Sequence, residues 1–102
     1  MNGEVWTVHR WWVPDENERS FMQAWRALAE TITGGGLMHR VSLFADIDEP
    51  RVHWTPLCWG SQSVRRAWRA ERQHREVEEA VNALCDGVRV HRMITVLEVR
   101  AR

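Results

Sequence analysis

The sequence contains no lysine and no tyrosine, so all fourteen of its basic residues are arginines. Without lysine the chain cannot form a Schiff base with a carbonyl substrate or with pyridoxal phosphate. Without tyrosine it has no phenol that could act as an acid or a base. Five histidines are the remaining side chains that ordinarily titrate near neutral pH. Proton transfer at neutral pH would therefore depend on histidine.

An excess of charge of either sign is also missing, because fourteen acidic residues balance the arginines. Nucleic acids and anionic membranes attract a basic field, so we expect neither as a partner. No apolar run approaches the roughly 18 residues of a membrane span, and no signal peptide is visible. A cytoplasmic location is the resulting expectation. The two cysteines, Cys58 and Cys85, form no close-spaced metal motif, and we expect no bound metal.

The hydrophobic pattern predicts one domain over residues 1–102. Strands are predicted at 4–13, 37–45, 51–59 and 88–99. A helix is predicted at 15–33, and the second helical region, 61–86, is compatible with one bent helix or with two helices. The order βαββαβ with right-handed crossovers gives an α+β, ferredoxin-like fold, in which the helices cover one face of a four-stranded antiparallel sheet.

Successive side chains of a strand point to opposite faces of the sheet. In the first and last strands apolar side chains occur at both odd-numbered and even-numbered positions, so both faces of the predicted sheet carry apolar residues. Two helices can cover only one face. A large apolar face left in water is rare in monomers. At ~25 cal/mol per Å², a typical interface of about 800 Å² per subunit would hold two copies together. The sequence therefore predicts a homodimer with face-to-face sheets.

The segment Cys58-Trp59-Gly60-Ser61 resembles the start of the second helix in the antibiotic biosynthesis monooxygenase superfamily, whose members are dimeric α/β barrels. There, a strand-ending Trp and a Ser open the helix and a second aromatic residue follows, as Trp59, Ser61 and Trp68 do here. Gly60 differs from the acidic residue that is usual in the family. The resemblance covers about residues 4–99.

This resemblance implies a monooxygenase that oxidises an aromatic, polyketide-type molecule with O₂ and without a cofactor. The family also contains haem-degrading enzymes, which makes haem the alternative cofactor. Polyketide cyclisation or isomerisation, and ligand binding without catalysis, are further alternatives because one fold hosts many functions.

Three residues are the candidate catalytic groups. His9 lies in the middle of the first strand, where an imidazole that titrates near neutrality would serve as general base. Trp68 matches the pocket Trp of the family and would position a flat substrate. His74 is the candidate haem ligand. On a continuous helix the six residues from Trp68 to His74 span about 240°, so both could face one pocket only if the helix breaks near Ala70 and Glu71. Core packing of His9 and Trp68 and a solvated His74 are the alternatives.

Three further residues are candidate substrate contacts: Trp25, Trp59 and Arg40. A structural role is the alternative for Trp59. Arg40 or Arg92 could bind an acidic substrate group, or pair with Glu98 in the dimer interface. Arg65, Arg66 and Arg69 are interpreted as a solvated helix face.

Overall fold

The computed structural model describes residues 3–102. The elements are, in chain order, β1 (Val5–Trp12), a 3₁₀ turn (Asp15–Asn17), α1 (Glu18–Gly34), β2 (Phe44–Ala45), β3 (Val52–Cys58), α2 (Gln62–Ala70), α3 (Arg72–Asn82) and β4 (Gly87–Ile94). All strand pairs are antiparallel, and the strand order is β2-β3-β1-β4. The predicted ferredoxin-like α+β fold is confirmed.

Strand β1 lies in the centre of the sheet and divides its side chains between the two sides. Residues 5, 7, 9 and 11 are buried, whereas residues 6, 8, 10 and 12 are half-buried. The first set faces the helices, and we call this side of the sheet the helix face. The second set points away from the helices onto the other side, which we call the open face.

The apolar core lies between the helix face and the helices. From α1, Phe21, Leu28 and Ile32 are buried at spacings of seven and four, the predicted helical stripe. Phe21 packs edge-on against Trp11, with ring centroids 5.5 Å apart. The indole N–H of Trp11 donates to Asn82 Oδ1 at 3.0 Å and so connects β1 with the end of α3.

Strand β2 is much shorter than the predicted 37–45, and Pro56 explains this. Arg51 accepts a hydrogen bond from Val13, at the end of β1, whereas Val52 accepts one from Asp46, at the end of β2. Backbone groups of even-numbered residues in β3 therefore point towards β2. Pro56 has no N–H to donate at the position that would extend this ladder. Strand β3 itself runs without interruption from Val52 to Cys58, through Pro56.

The second helical region consists of two helices. Ser61 caps α2, because its Oγ accepts the backbone N–H of Val64 at 3.3 Å. Helix α2 ends at Ala70 and α3 begins at Arg72, and Glu71 between them has extended backbone angles (φ −79°, ψ 125°). The break lies where a common pocket for Trp68 and His74 requires one.

Strand β4 ends at Ile94, five residues before the predicted end. Ile94 pairs with Val5, the first residue of β1. The residues after Thr95 therefore have no neighbouring strand, and Val96, Leu97 and Val99 are exposed. Within residues 3–102, no helix is both long and apolar enough to cross a membrane.

Candidate functional site

The centre of the helix face is polar. Thr7, His9, His53 and Thr55 all face the helices and are buried. His9 lies directly opposite Thr55 in the β1–β3 register. Burying polar groups costs free energy unless they find hydrogen-bond partners. The partners of these residues therefore distinguish the structural groups from the groups that are free to meet a ligand.

The hydroxyl groups of the two threonines each accept a hydrogen bond from a tryptophan. The indole N–H of Trp25, on α1, donates to Thr55 Oγ1 at 2.9 Å. The indole N–H of Trp59, just after β3, donates to Thr7 Oγ1 at 2.8 Å. The N–H groups of both tryptophans that were predicted to contact substrate are thus hydrogen-bonded to threonines of the helix face, and they are not free to bind a substrate. Their rings lie at the border of the polar centre.

Trp68 differs from these two tryptophans. It is 4% exposed and packs against Trp59 with ring centroids 5.4 Å apart. Its indole Nε1 is buried and has no hydrogen-bond partner, and the same is true of His9 Nδ1. An unsatisfied buried group of this kind costs about 1–3 kcal/mol and calls for an explanation. A polar ligand that meets both atoms would supply one.

His9 is 5% exposed and stacks on Trp11, with ring centroids 5.2 Å apart. Burial lowers the pKa of His9 to about 4, and the positive charges of Arg65 and Arg69 contribute to the decrease. The prediction that His9 titrates near neutrality is therefore wrong for the free protein. At pH 7 the imidazole is neutral and one of its ring nitrogens can accept a proton.

His74 and Trp68 are brought together by the helix break at Glu71. Their rings stack with centroids 4.7 Å apart and planes 13° apart. His74 Nδ1 donates to the carbonyl oxygen of Trp68 at 2.9 Å, and Nε2 lies 3.8 Å from Glu71 Oε2. Both rings line a cavity of about 360 Å³ together with Leu37 and Val64. His9 does not line this cavity, which therefore joins Trp68 to His74 but not to His9.

Arg40 is remote from these residues. It is exposed in the segment between α1 and β2, and it lines a cavity of about 400 Å³ that includes Trp59 together with Trp6 and Cys58 of the open face. Another cavity, of about 600 Å³, surrounds Trp12 at the far end of β1. Neither cavity is lined by His9 or Trp68.

Arg65 and Arg69 affect a candidate site residue, which their interpretation as a solvated helix face did not foresee. They lie four residues apart on α2, on either side of Trp68, and their charges act on His9. The i, i+4 spacing around a buried tryptophan was the available signal. Within the described part of the chain, no cluster of three His, Cys, Asp or Glu side chains could hold a metal ion.

No protein-family model matches this chain, and no curated protein matches its sequence. Solved structures do match it. SnoaB from Streptomyces nogalater, a cofactor-independent oxygenase whose structure is that of a mutant, has a TM-score of 0.83 at 16% identity over 97% of this chain and 99% of SnoaB. An antibiotic biosynthesis monooxygenase has a TM-score of 0.78 at 17% identity over 91% and 99% of the two chains. A conserved protein from Methanosarcina mazei has a TM-score of 0.81 at 12% identity over 91% and 93%. At these identities the likeness establishes the fold.

Proposed function

We propose, from the premise that this chain has the fold of the antibiotic biosynthesis monooxygenases, that it is a homodimeric, cofactor-independent monooxygenase. Its substrate would be a small, electron-rich aromatic molecule of the polyketide type. The observation that carries the proposal is that two of the three unpartnered buried side-chain atoms, His9 Nδ1 and Trp68 Nε1, lie on the side of the helices; the third, Arg10 Nε, lies on the open face. A neutral imidazole and a free indole N–H are suited to bind a phenolic substrate.

In the proposed reaction His9 accepts the proton of a substrate hydroxyl group. The resulting anion donates one electron to O₂, and the substrate radical and superoxide combine to a peroxide. Loss of water from this peroxide leaves a quinone, so that one oxygen atom stays in the product and the other leaves as water. Trp68 would hold the flat ring, and the buried surroundings of His9 would exclude water from the intermediates.

The proposed homodimer uses the open face. This face carries the rings of Trp6, Trp12 and Trp54, and the guanidinium of Arg10 lies 4.5 Å from the ring of Trp12 and 4.9 Å from that of Trp54. Phe44, in register with Trp54, is 53% exposed. A second copy packed on this face would remove these rings from water. Interfaces between protein chains are typically enriched in Trp and Arg.

Oxygen consumption tests the oxygenase proposal. Hydroxylated tricyclic aromatics would be screened with an oxygen electrode, and the product analysed by mass spectrometry. Wild-type turnover should fall at least about 100-fold in His9→Ala and also fall in Trp68→Ala. His39→Ala, which changes an exposed histidine, is the matched control and should retain full activity. Equal turnover in all variants would contradict the proposal.

The same screen separates the other classes. Conversion of an aromatic substrate without oxygen consumption would identify a cyclase or an isomerase. Saturable binding without conversion would identify a ligand-binding dimer that is not an enzyme.

Haem binding is the second candidate, and the hydrogen bond from His74 Nδ1 to the Trp68 carbonyl favours it. This bond fixes the tautomer and leaves the Nε2 lone pair free, as in many metal-ligating histidines. His74 would then be the ligand, and haem would supply an iron centre that binds O₂. A haemin titration followed by visible absorption tests this. A saturable Soret band that is lost in His74→Ala would support a haem protein, and the absence of a specific band would exclude it.

A further inference from the structure

The helices leave one part of the helix face uncovered. On the edge strand β4, Val88 packs against the core, but the next three residues on the same face, Val90, Arg92 and Ile94, are less covered: Val90 is 38% and Ile94 is 59% exposed. Val90 is the direct partner of His9 in the sheet. We call these three residues the β4 strip. An apolar surface beside a buried histidine is thus open to a flat molecule from solvent.

Three arginines surround this opening. Arg92 belongs to the β4 strip, opposite Thr7, and Arg65 and Arg69 lie one helical turn apart on α2. Burial lowers the pKa of Arg65, and the charges of Arg69, Arg92 and, least of all, Arg66 lower it further, whereas Glu78 raises it. One carboxylate, Glu78, opposes them, and it lies 3.8 Å from Arg69, beyond hydrogen-bond distance.

We propose that Arg65, Arg69 and Arg92 bind an acidic group of the substrate, and that the ligand of this site is a planar aromatic carboxylate whose ring lies on Val90 beside His9. The proposal deepens the proposed function, on which it rests for the reaction at His9. Positive charges that converge without matching carboxylates repel one another, and a bound anion would relieve this repulsion. Guanidinium groups are suited to this task because they bind carboxylates with two parallel hydrogen bonds.

His9 supplies the second observation. It is more than nine-tenths buried, it lies next to the strip, and its Nδ1 has no partner. The other residues around it, Trp11, Thr55 and Val90, carry no charge. The charges that act on it come from Arg65 and Arg69. A carboxylate bound to these arginines would offset their field, and His9 would become a stronger base only when the substrate is present.

Anaerobic binding of a matched pair of probes tests the proposal. By isothermal titration calorimetry, 2-naphthoate should bind at least about tenfold more tightly than its neutral analogue 2-naphthamide. Added salt should weaken the binding of the naphthoate alone, because it screens the arginines. Binding of the naphthoate should also take up protons below about pH 6.5, as His9 gains basicity.

Arginine variants locate the binding site. Arg65→Gln and Arg92→Gln should each weaken naphthoate binding by about tenfold, the effect of a lost charged hydrogen bond, and leave naphthamide binding unchanged. Arg66→Gln removes the same charge from an exposed position of the same helix and should have little effect. Circular dichroism would verify that each variant is folded.

Several outcomes overturn the inference: equal affinity for both probes, absence of saturable naphthoate binding, or an equal loss in Arg66→Gln and Arg65→Gln. The oxygenase proposal fails separately. Tight, arginine-dependent naphthoate binding without any oxygen consumption would uphold the anion site and remove the oxygenase. Oxygen-consuming turnover of neutral aromatics, with no preference for acids, would remove the anion site and uphold the oxygenase.

Discussion

The two faces of the sheet each depart, near their centres, from the usual distribution of side chains. The helix face, which is covered, has Thr7, His9 and Thr55 at its centre. The open face, which points away from the helices, has Trp12 and Trp54 around Arg10. A sheet that served only as a scaffold would carry apolar residues on the covered side and polar residues on the other. The polar residues on the helix face and the large rings on the open face both belong to β1 and β3.

These departures are what the proposed partners, a small molecule on one face and a second copy on the other, would require. The covered face keeps polar atoms that a packed core does not require, which suits a small molecule. The open face keeps large rings that water does not favour, which suits a protein surface. Because successive residues of β1 point to opposite faces, one short segment, His9-Arg10, would contribute to both of the proposed interactions.

The largest expected effect is on the open face. Trp54→Glu should weaken the dimer by about 5 kcal/mol, because the change occurs twice in each dimer and buries a charge at a central tryptophan. Sedimentation equilibrium should show the wild type at twice the chain mass of 12.0 kDa and the variant as a monomer. Met22→Glu, on the exposed side of α1, should remain a dimer. A monomeric wild type would contradict the assignment of this face.

On the helix face, His9 should make stability depend on pH. Its pKa is about 4 in the folded protein and about 6.5 in the unfolded chain. The unfolded state therefore binds more protons between these values, and stability falls as the pH decreases through this range. The loss should reach about 3 kcal/mol near pH 4, and it should be absent above pH 7.

Urea unfolding of the wild type and of His9→Leu at several pH values measures this loss. The difference between their free energies of unfolding isolates His9 from the carboxylates that titrate in both proteins. Parallel pH profiles would show that His9 does not stay neutral in the folded state.

A smaller effect is expected for the threonine partners of the tryptophans. Thr55→Val leaves the indole N–H of Trp25 without its acceptor, which should cost about 2 kcal/mol. Adding Trp25→Phe should recover part of this loss, because the orphaned donor is removed. Thr33→Val, whose hydroxyl bonds within its own helix, is the control for chemical denaturation and should change stability little. An equal loss in both single variants would argue against a special role for Thr55.

The smallest effect is expected where neither face is involved. Arg51 and Asp86 form an ion pair of 2.9 Å whose side chains are 57% and 61% exposed. Such pairs contribute about 0.5 kcal/mol, so Arg51→Gln should hardly change the urea midpoint, and high salt should abolish the difference. A loss as large as that in Thr55→Val would mean that this end of the sheet has a role beyond the ion pair.

Local patterns predicted the parts of the fold that depend on local rules. The first strand, the first helix and the start of the next helix at Ser61 are each fixed by neighbours in the chain, and the structure confirms them. The extent of β2 depends on which way the backbone of Pro56 points, and this is set by pairing with β1. The end of β4 depends on where β1 begins. Neither is readable from the segment itself.

The site shows the same limit. His9 and Trp68 could be selected from their positions in predicted elements. The low pKa of His9 could not be predicted in this way, because part of the decrease is caused by the charges of Arg65 and Arg69, which lie more than fifty residues away in the sequence. The sequence also left open whether the helix breaks at Glu71, and this break decides that His74 stacks on Trp68.

Pro56 also affects how copies of this chain can associate. Within the described residues, β2 pairs with β3 only at His53 and Trp54, so no strand pairs with the outer edge of β3 beyond them; an unpaired edge is where foreign strands add and fibrils grow. Such growth needs an unbroken row of backbone donors and acceptors, and Pro56 removes a donor from that row. The same residue that shortens β2 thus protects the molecule against aggregation along this edge, while leaving the open face free for a specific partner.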